Sequence, residues 1–230
     1  MKHLFLFAAM GFLAIASAAH AQQMMIGVRG GANFANEAWN DPGNTQSVSV
    51  KPGVIGGAEF DYALDRFLAI SFDVLYDQKG AYYRSTDGIY NQDSAAWTTG
   101  YLEVPLLAKV SFGRGAINPY LFAGSSIGFL LSNVEKLHTY RSTFVPDGVG
   151  GLYPVDTTAD IADSTTKIDF SIVAGAGISF RFPTGPVLFF DAAYAYGLTN
   201  IDNYYWDKIY GISMFSRDIR LAAGILFPIK

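Results

Sequence analysis

Several carboxylates stand close enough along the chain to suggest acid–base chemistry. Glu59, Asp61 and Asp73 are the clearest group, with Glu103, Asp169, Asp191 and Asp218 further on. A catalytic pair of this kind needs one acid held protonated and one ionised. The basic residues Arg29, Lys109, Arg181 and Arg220 fall in the same segments. Acids and bases forced into one confined space must pair, because a lone buried charge is expensive. The set Arg29, Glu59, Asp61, Asp73, Glu103, Lys109, Asp169, Arg181, Asp191, Asp218 and Arg220 is therefore expected to form a structural ion-pair plug, with no catalytic residue among them.

Other chemistry is thin. His138 is the only histidine beyond the N-terminal segment, and Ser132, Ser142 and Asp147 lie near it in sequence. That is the raw material of a Ser–His–Asp site, but spacing alone does not specify one. Asp156, Asp160 and Asp163 could offer oxygens to Ca²⁺, yet they lack the EF-hand pattern and read as a polar loop. Gly27-Val28-Arg29-Gly30-Gly31 lies within a strand and is neither a P-loop nor a dinucleotide fingerprint. No metal and no cofactor are expected. The chain has no Cys, so disulfides and thiol chemistry are out of reach. The net charge is −4 with no basic stripe, which argues against nucleic acid.

The elements that must position these charges are strands. Apolar residues alternate with a period of two along eight segments. These are 25–34, 52–64, 66–79, 97–112, 118–132, 167–182, 187–199 and 216–229. One face of every segment is free of charge: Ile26, Val28 and Phe34 in the first, Leu102, Leu106 and Val110 in the fourth, Phe170, Ile172 and Ile178 in the sixth. All the charges named above lie on the other face. A water-soluble barrel would carry far more Lys and Glu outside. It would also have to fit Phe60, Phe72, Phe170, Phe180 and Phe190 into a narrow interior. In lipid the arrangement is natural, because a Lys or Arg on the outer face costs roughly 2–4 kcal/mol at mid-membrane.

The connections alternate. Those near Asp65, at 113–117 and at 183–186 are short, whereas 35–51, 80–96, 133–166 and 200–215 are long. The expected fold is all-β: an eight-stranded antiparallel transmembrane β-barrel with short periplasmic turns and four long extracellular loops. Aromatics should mark two membrane rims. Tyr62, Phe67, Phe112, Phe180, Phe182 and Phe189 would mark the short-turn rim, and Tyr76, Trp97, Tyr101, Tyr194 and Tyr196 the long-loop rim.

Residues 1–21 read as a cleaved secretory signal: Lys2, then the apolar run Leu4–Ala16, then Ala19-His20-Ala21. Residues 22–230 would be the barrel domain. No later stretch is long and apolar enough for a membrane helix.

Tyr101-Leu102-Glu103-Val104-Pro105-Leu106-Leu107-Ala108-Lys109 resembles the YLE-P-LL-K strand of the PorT-like outer-membrane β-barrel proteins of Gram-negative bacteria. Gly27–Phe34, Pro119–Gly124, Asp169-Phe170 with Ala174–Gly177, and Leu221–Phe227 resemble other strands of that family in order and spacing. The chain departs from many such barrels in ending Phe227-Pro228-Ile229-Lys230 rather than on an aromatic residue. The resemblance implies fold and outer-membrane location, and no activity. The function expected is that of a non-enzymatic barrel with a structural or surface-binding role through its loops. The alternatives are a transport or secretion-associated barrel, an outer-membrane lipid-modifying enzyme, and a soluble lipocalin-like ligand-binding barrel. Expected partners are outer-membrane lipid and lipopolysaccharide, the barrel-assembly machinery, and an envelope or extracellular protein at the loops. The chain is expected to be a monomer.

Overall fold

The computed structural model describes residues 23–40, 47–84, 94–113, 115–142, 151–183, 185–204 and 211–229. The expected signal segment lies outside them. The described elements are β1 (Met24–Asn40), β2 (Ser47–Ala63), β3 (Leu68–Lys79), β4 (Ala81–Arg84), β5 (Ser94–Ser111), β6 (Ile117–Ser142), β7 (Leu152–Asp160), β8 (Ile168–Arg181), β9 (Val187–Gly197) and β10 (Ser213–Ile229), with one 3-10 turn at Ala162–Ser164. Among the described residues no helix is long and apolar enough to cross a membrane.

Every pairing between named strands is antiparallel, and the pairings run in a ring of eight: β1–β2–β3–β5–β6–β8–β9–β10 and back to β1. The closing seam is the longest regular one, from Met24 opposite Ile229 to Asn40 opposite Ser213. A closed ring satisfies the backbone groups that an open sheet would leave at its edges.

Alternation sets which side chains point in. Along β3, Ser71, Asp73, Leu75, Asp77 and Lys79 are buried while Phe72, Val74 and Tyr76 are exposed. The same division runs round the ring, so the exposed side chains are Ile26, Val28, Leu106, Leu121, Phe170, Ile172, Phe190, Leu221 and their like. Small residues let the wall pack closely. At Gly27 a side chain would lie 1.8 Å from the carbonyl oxygen of Ile225 on the neighbouring strand.

Two strands lie outside the ring. Beyond β3 the chain turns at Gly80, whose φ of 144° suits glycine, and β4 continues against β2 and β5. A side chain at Gly80 would also strike the Trp97 carbonyl oxygen at 2.1 Å. β7 folds back along the upper half of β6, from Val134 opposite Asp160 to Ser142 opposite Leu152.

These strands correct the expected long loops. Much of 35–51 and 133–166 is sheet, as are both described ends of 80–96: β1 runs to Asn40, β2 starts at Ser47, β4 covers Ala81–Arg84, β5 starts at Ser94, and β6 with β7 forms a long hairpin. The backbone ladder continues past the point where one face stops being apolar, so period-two hydrophobicity fades while hydrogen bonding does not. A bulge adds to the disguise. Tyr101 pairs with Leu130 but Gly100 pairs with Ser132, so one residue of β6 is skipped. Inward positions of β6 are even-numbered below the bulge (Tyr120, Phe122, Ser126) and odd-numbered above it (Asn133).

The short turns are as expected in place. At the first of them the Asp65 carboxylate accepts from the backbone N–H of Phe67 (2.6 Å) and Leu68 (2.8 Å). Those two donors hold its carboxyl below the usual carboxylate range.

Candidate functional site

The inward face of the ring gathers its charges into two clusters. Nearer the short turns, Arg29 on β1 reaches three carboxylates: Glu59 at 3.4 Å, Asp73 at 3.2 Å and Asp191 at 2.8 Å. Lys109 on β5 bridges Glu59 and Asp61, the latter at 3.0 Å. Tyr120 donates to Asp191 (3.1 Å) and Ser71 to Asp73 (2.8 Å). The Phe189 ring lies under both cations, 5.6 Å from Arg29 and 5.8 Å from Lys109.

Nearer the long loops, Lys79 on β3 reaches Glu103 at 2.6 Å, Asp169 at 3.1 Å and Asp218 at 3.3 Å. Arg220 on β10 reaches Asp77 at 2.8 Å, Glu103 at 2.9 Å and Asp218 at 3.3 Å. Asn33 donates to Asp77, Ser126 to Glu103 and Ser216 to Asp169. Tyr101 packs its ring 5.0 Å from the Lys79 ammonium. Each cluster thus sets four carboxylates around two cations.

The resemblance strand ties the clusters together. Tyr101, Glu103, Pro105, Leu107 and Lys109 are its buried residues. Glu103 serves the upper cluster and Lys109 the lower.

Ten of the eleven residues expected inside meet in these clusters; Arg181 does not. It stands exposed at the short-turn mouth and donates to Gln23 (3.2 Å). Its strand phase points inward, but its position at the strand end leaves it in solvent. Asp77 and Lys79 were missed, although they continue the inward series of Asp73. The buried polar residues Asn33, Ser71, Ser126 and Ser216 were missed too, because a small polar residue carries no periodic signal of its own.

Three expected rim aromatics point inward instead. Tyr101 and Phe189 are buried against the cations. Trp97 donates to Glu135 at 3.0 Å and lines a cavity of about 330 Å³ at the long-loop mouth, with Glu37, Asn133, Thr165, Ile201 and Tyr204. Tyr76, Tyr194 and Tyr196 are exposed on the outer face.

The groups suited to metal binding or acid–base chemistry are engaged with other residues of the chain. Asp77, Glu103 and Asp218 bring oxygens within 4.8 Å of one another, as a metal site would. Lys79 and Arg220 already bond into that group. His138 pairs with Asp156 (Nδ1 to Oδ1, 2.6 Å) across β6 and β7 on an exposed surface. Ser142 is described in its backbone only, and Asp147 lies outside the described residues. The acids of the suggested Ca²⁺ stretch do not converge: Asp156 faces His138, Asp160 accepts from the Ala162 N–H, and Asp163 pairs with Lys167.

A charge-lined interior inside an apolar outer face, closed in a ring of eight antiparallel strands, is the arrangement of an outer-membrane barrel. The family model described as "Outer membrane protein beta-barrel domain" matches residues 20–203, and the chain belongs to that family. Among solved structures, the chain is similar to Neisserial surface protein A, at 13% identity and a TM-score of 0.41, covering 88% of this chain and 96% of that one. It is also similar to the attachment invasion locus protein Ail of Yersinia pestis (12%, TM-score 0.39, 88% and 98%) and to OprG of Pseudomonas aeruginosa (11%, TM-score 0.46, 91% and 97%). Comparison with curated protein sequences gives no match.

Proposed function

We propose that this chain is a non-enzymatic outer-membrane barrel that acts by binding at its long-loop rim. The single observation behind the reading is the contrast between a paired, filled interior and an extended, hydrophilic rim. The two ion-pair clusters would act as a structural plug across the ring. The belt of Ile26, Val28, Leu106, Phe170, Phe190 and Leu221 would face lipid, with lipopolysaccharide around its outer half. The short turns would then be periplasmic and the β6–β7 hairpin extracellular. The assembly machinery would insert the chain as a monomer after removal of residues 1–21. Assignment to the PorT-like branch belongs to the same proposal and rests on the 101–109 strand.

Trimming the hairpin tests the binding role. Cells displaying the barrel with 134–160 replaced by a tight turn should lose adherence to immobilised protein or polysaccharide surfaces while keeping a folded barrel. Unchanged adherence on every surface would remove the basis of the reading.

A further inference from the structure

β7 is the one strand at which the sheet order stops. It pairs with β6 along its whole length, and among the described residues no strand pairs with its second edge. The phase of that edge can be fixed. The N–H of Ile161 donates to the carbonyl of Asn133 (2.9 Å), one step beyond the last β6–β7 pair. In an antiparallel ladder, alternate residues turn both backbone groups to the same neighbour. The odd-numbered residues of β7 therefore bond to β6. Leu152, Pro154, Asp156, Thr158 and Asp160 direct theirs to the open edge.

That edge has little of what usually guards one. It carries no Lys or Arg and no inward-pointing charge, and its single proline, Pro154, lies toward one end. Asp156, Thr158 and Asp160 are exposed along it, and Asp163 follows just beyond.

We propose that the β7 edge is a strand-addition site for an extended segment of a partner protein bearing basic side chains at i and i+4. Side chains directly opposite one another across a new antiparallel pair lie about 4.5–5.5 Å apart at Cβ. Two bases spaced in this way meet Asp160 and Asp156, with a β-branched or small residue opposite Thr158. A second copy of β7 fits poorly. Centred on Thr158, antiparallel self-pairing sets Asp156 against Asp160, and like charges directly opposite are destabilising. The site deepens the reading of the rim as a binding surface and rests on it.

A fluorescent synthetic peptide of Thr and Val with Lys at i and i+4 serves as the probe, titrated by anisotropy against the refolded full-length barrel in detergent. Saturable binding is expected. Glutamates in place of the lysines should weaken it by about tenfold or more. Thr158→Pro removes a donor only from the open edge, so it should abolish binding while leaving the β6–β7 ladder protected from hydrogen exchange. Backbone N-methylation of the peptide should do the same without altering the protein. No saturable binding, equal binding of the acidic peptide, or binding insensitive to both backbone changes overturns the proposal. So does a dimer of the barrel alone in sedimentation that Thr158→Pro dissolves. Failure here with adherence still lost on hairpin trimming would leave the rim reading standing.

Discussion

The wall of the ring and the extension above it use the same backbone ladder but opposite side-chain rules. In the wall, the charges of the two clusters have partners on other strands, and the outward face is apolar. In the extension, charges such as Asp156, Asp163 and Lys167 sit in solvent, paired locally if at all. A wall charge that lost its partners would be left buried and unpaired, which is costly, whereas an exposed pair in the extension contributes little. Two arginines show the contrast. Arg220 is buried among three carboxylates, and Arg181 is exposed at the mouth.

The largest effect should come from breaking the upper cluster. Arg220→Met removes the cation bonded to Asp77 and leaves Glu103 and Asp218 with Lys79 alone, and stability should fall by about 3–5 kcal/mol in urea titrations of the refolded barrel. Adding Asp77→Asn should recover part of the loss. Arg181→Met should change stability by no more than about 0.5 kcal/mol. Equal losses at the two arginines would erase the distinction between wall and mouth.

The outer face comes next. Leu106→Lys places a charge in the middle of the apolar belt and should cost about 2–4 kcal/mol in lipid vesicles. The same change at exposed Thr158 should be close to neutral. A harmless Leu106→Lys would mean that this face sees water.

The junction between wall and extension depends on Gly80. Gly80→Ala must strain a φ of 144° and meet the Trp97 carbonyl, so a loss of about 1–3 kcal/mol is expected. Amide exchange should accelerate at β4 before it does in β3.

The smallest effect belongs to the turn at Asp65. Its depressed carboxyl pKa stabilises the fold above the unfolded carboxyl's pKa, and that contribution is lost as pH falls through the lower folded value. Asp65→Asn should lower the urea midpoint slightly at neutral pH. The gap from wild type should close on acidification.

The wall was legible in the sequence because lipid outside and ion pairs inside force a strict period of two. Phe170, Ile172 and Asp169 declare their faces without help. The extension was not legible, since both faces of β6 above Ser132 are partly wet and the bulge reverses its phase. Asp77 and Lys79 could have been read by carrying the series from Asp73 onward. The inward turn of Tyr101 and Phe189 had a signal too: each stands two residues from an inward acid, Glu103 and Asp191. Aromatic type suggested a rim, and strand phase was the better guide. The partnership of His138 with Asp156 depends on where β7 folds back, which no local pattern records.

A ring crossed by two clusters of its own paired charges should not conduct, and planar-bilayer recording of the purified, refolded chain is the decisive test. The filled interior predicts a flat baseline for wild type at moderate voltage. Steady, ohmic single-channel steps from the wild-type protein would contradict it.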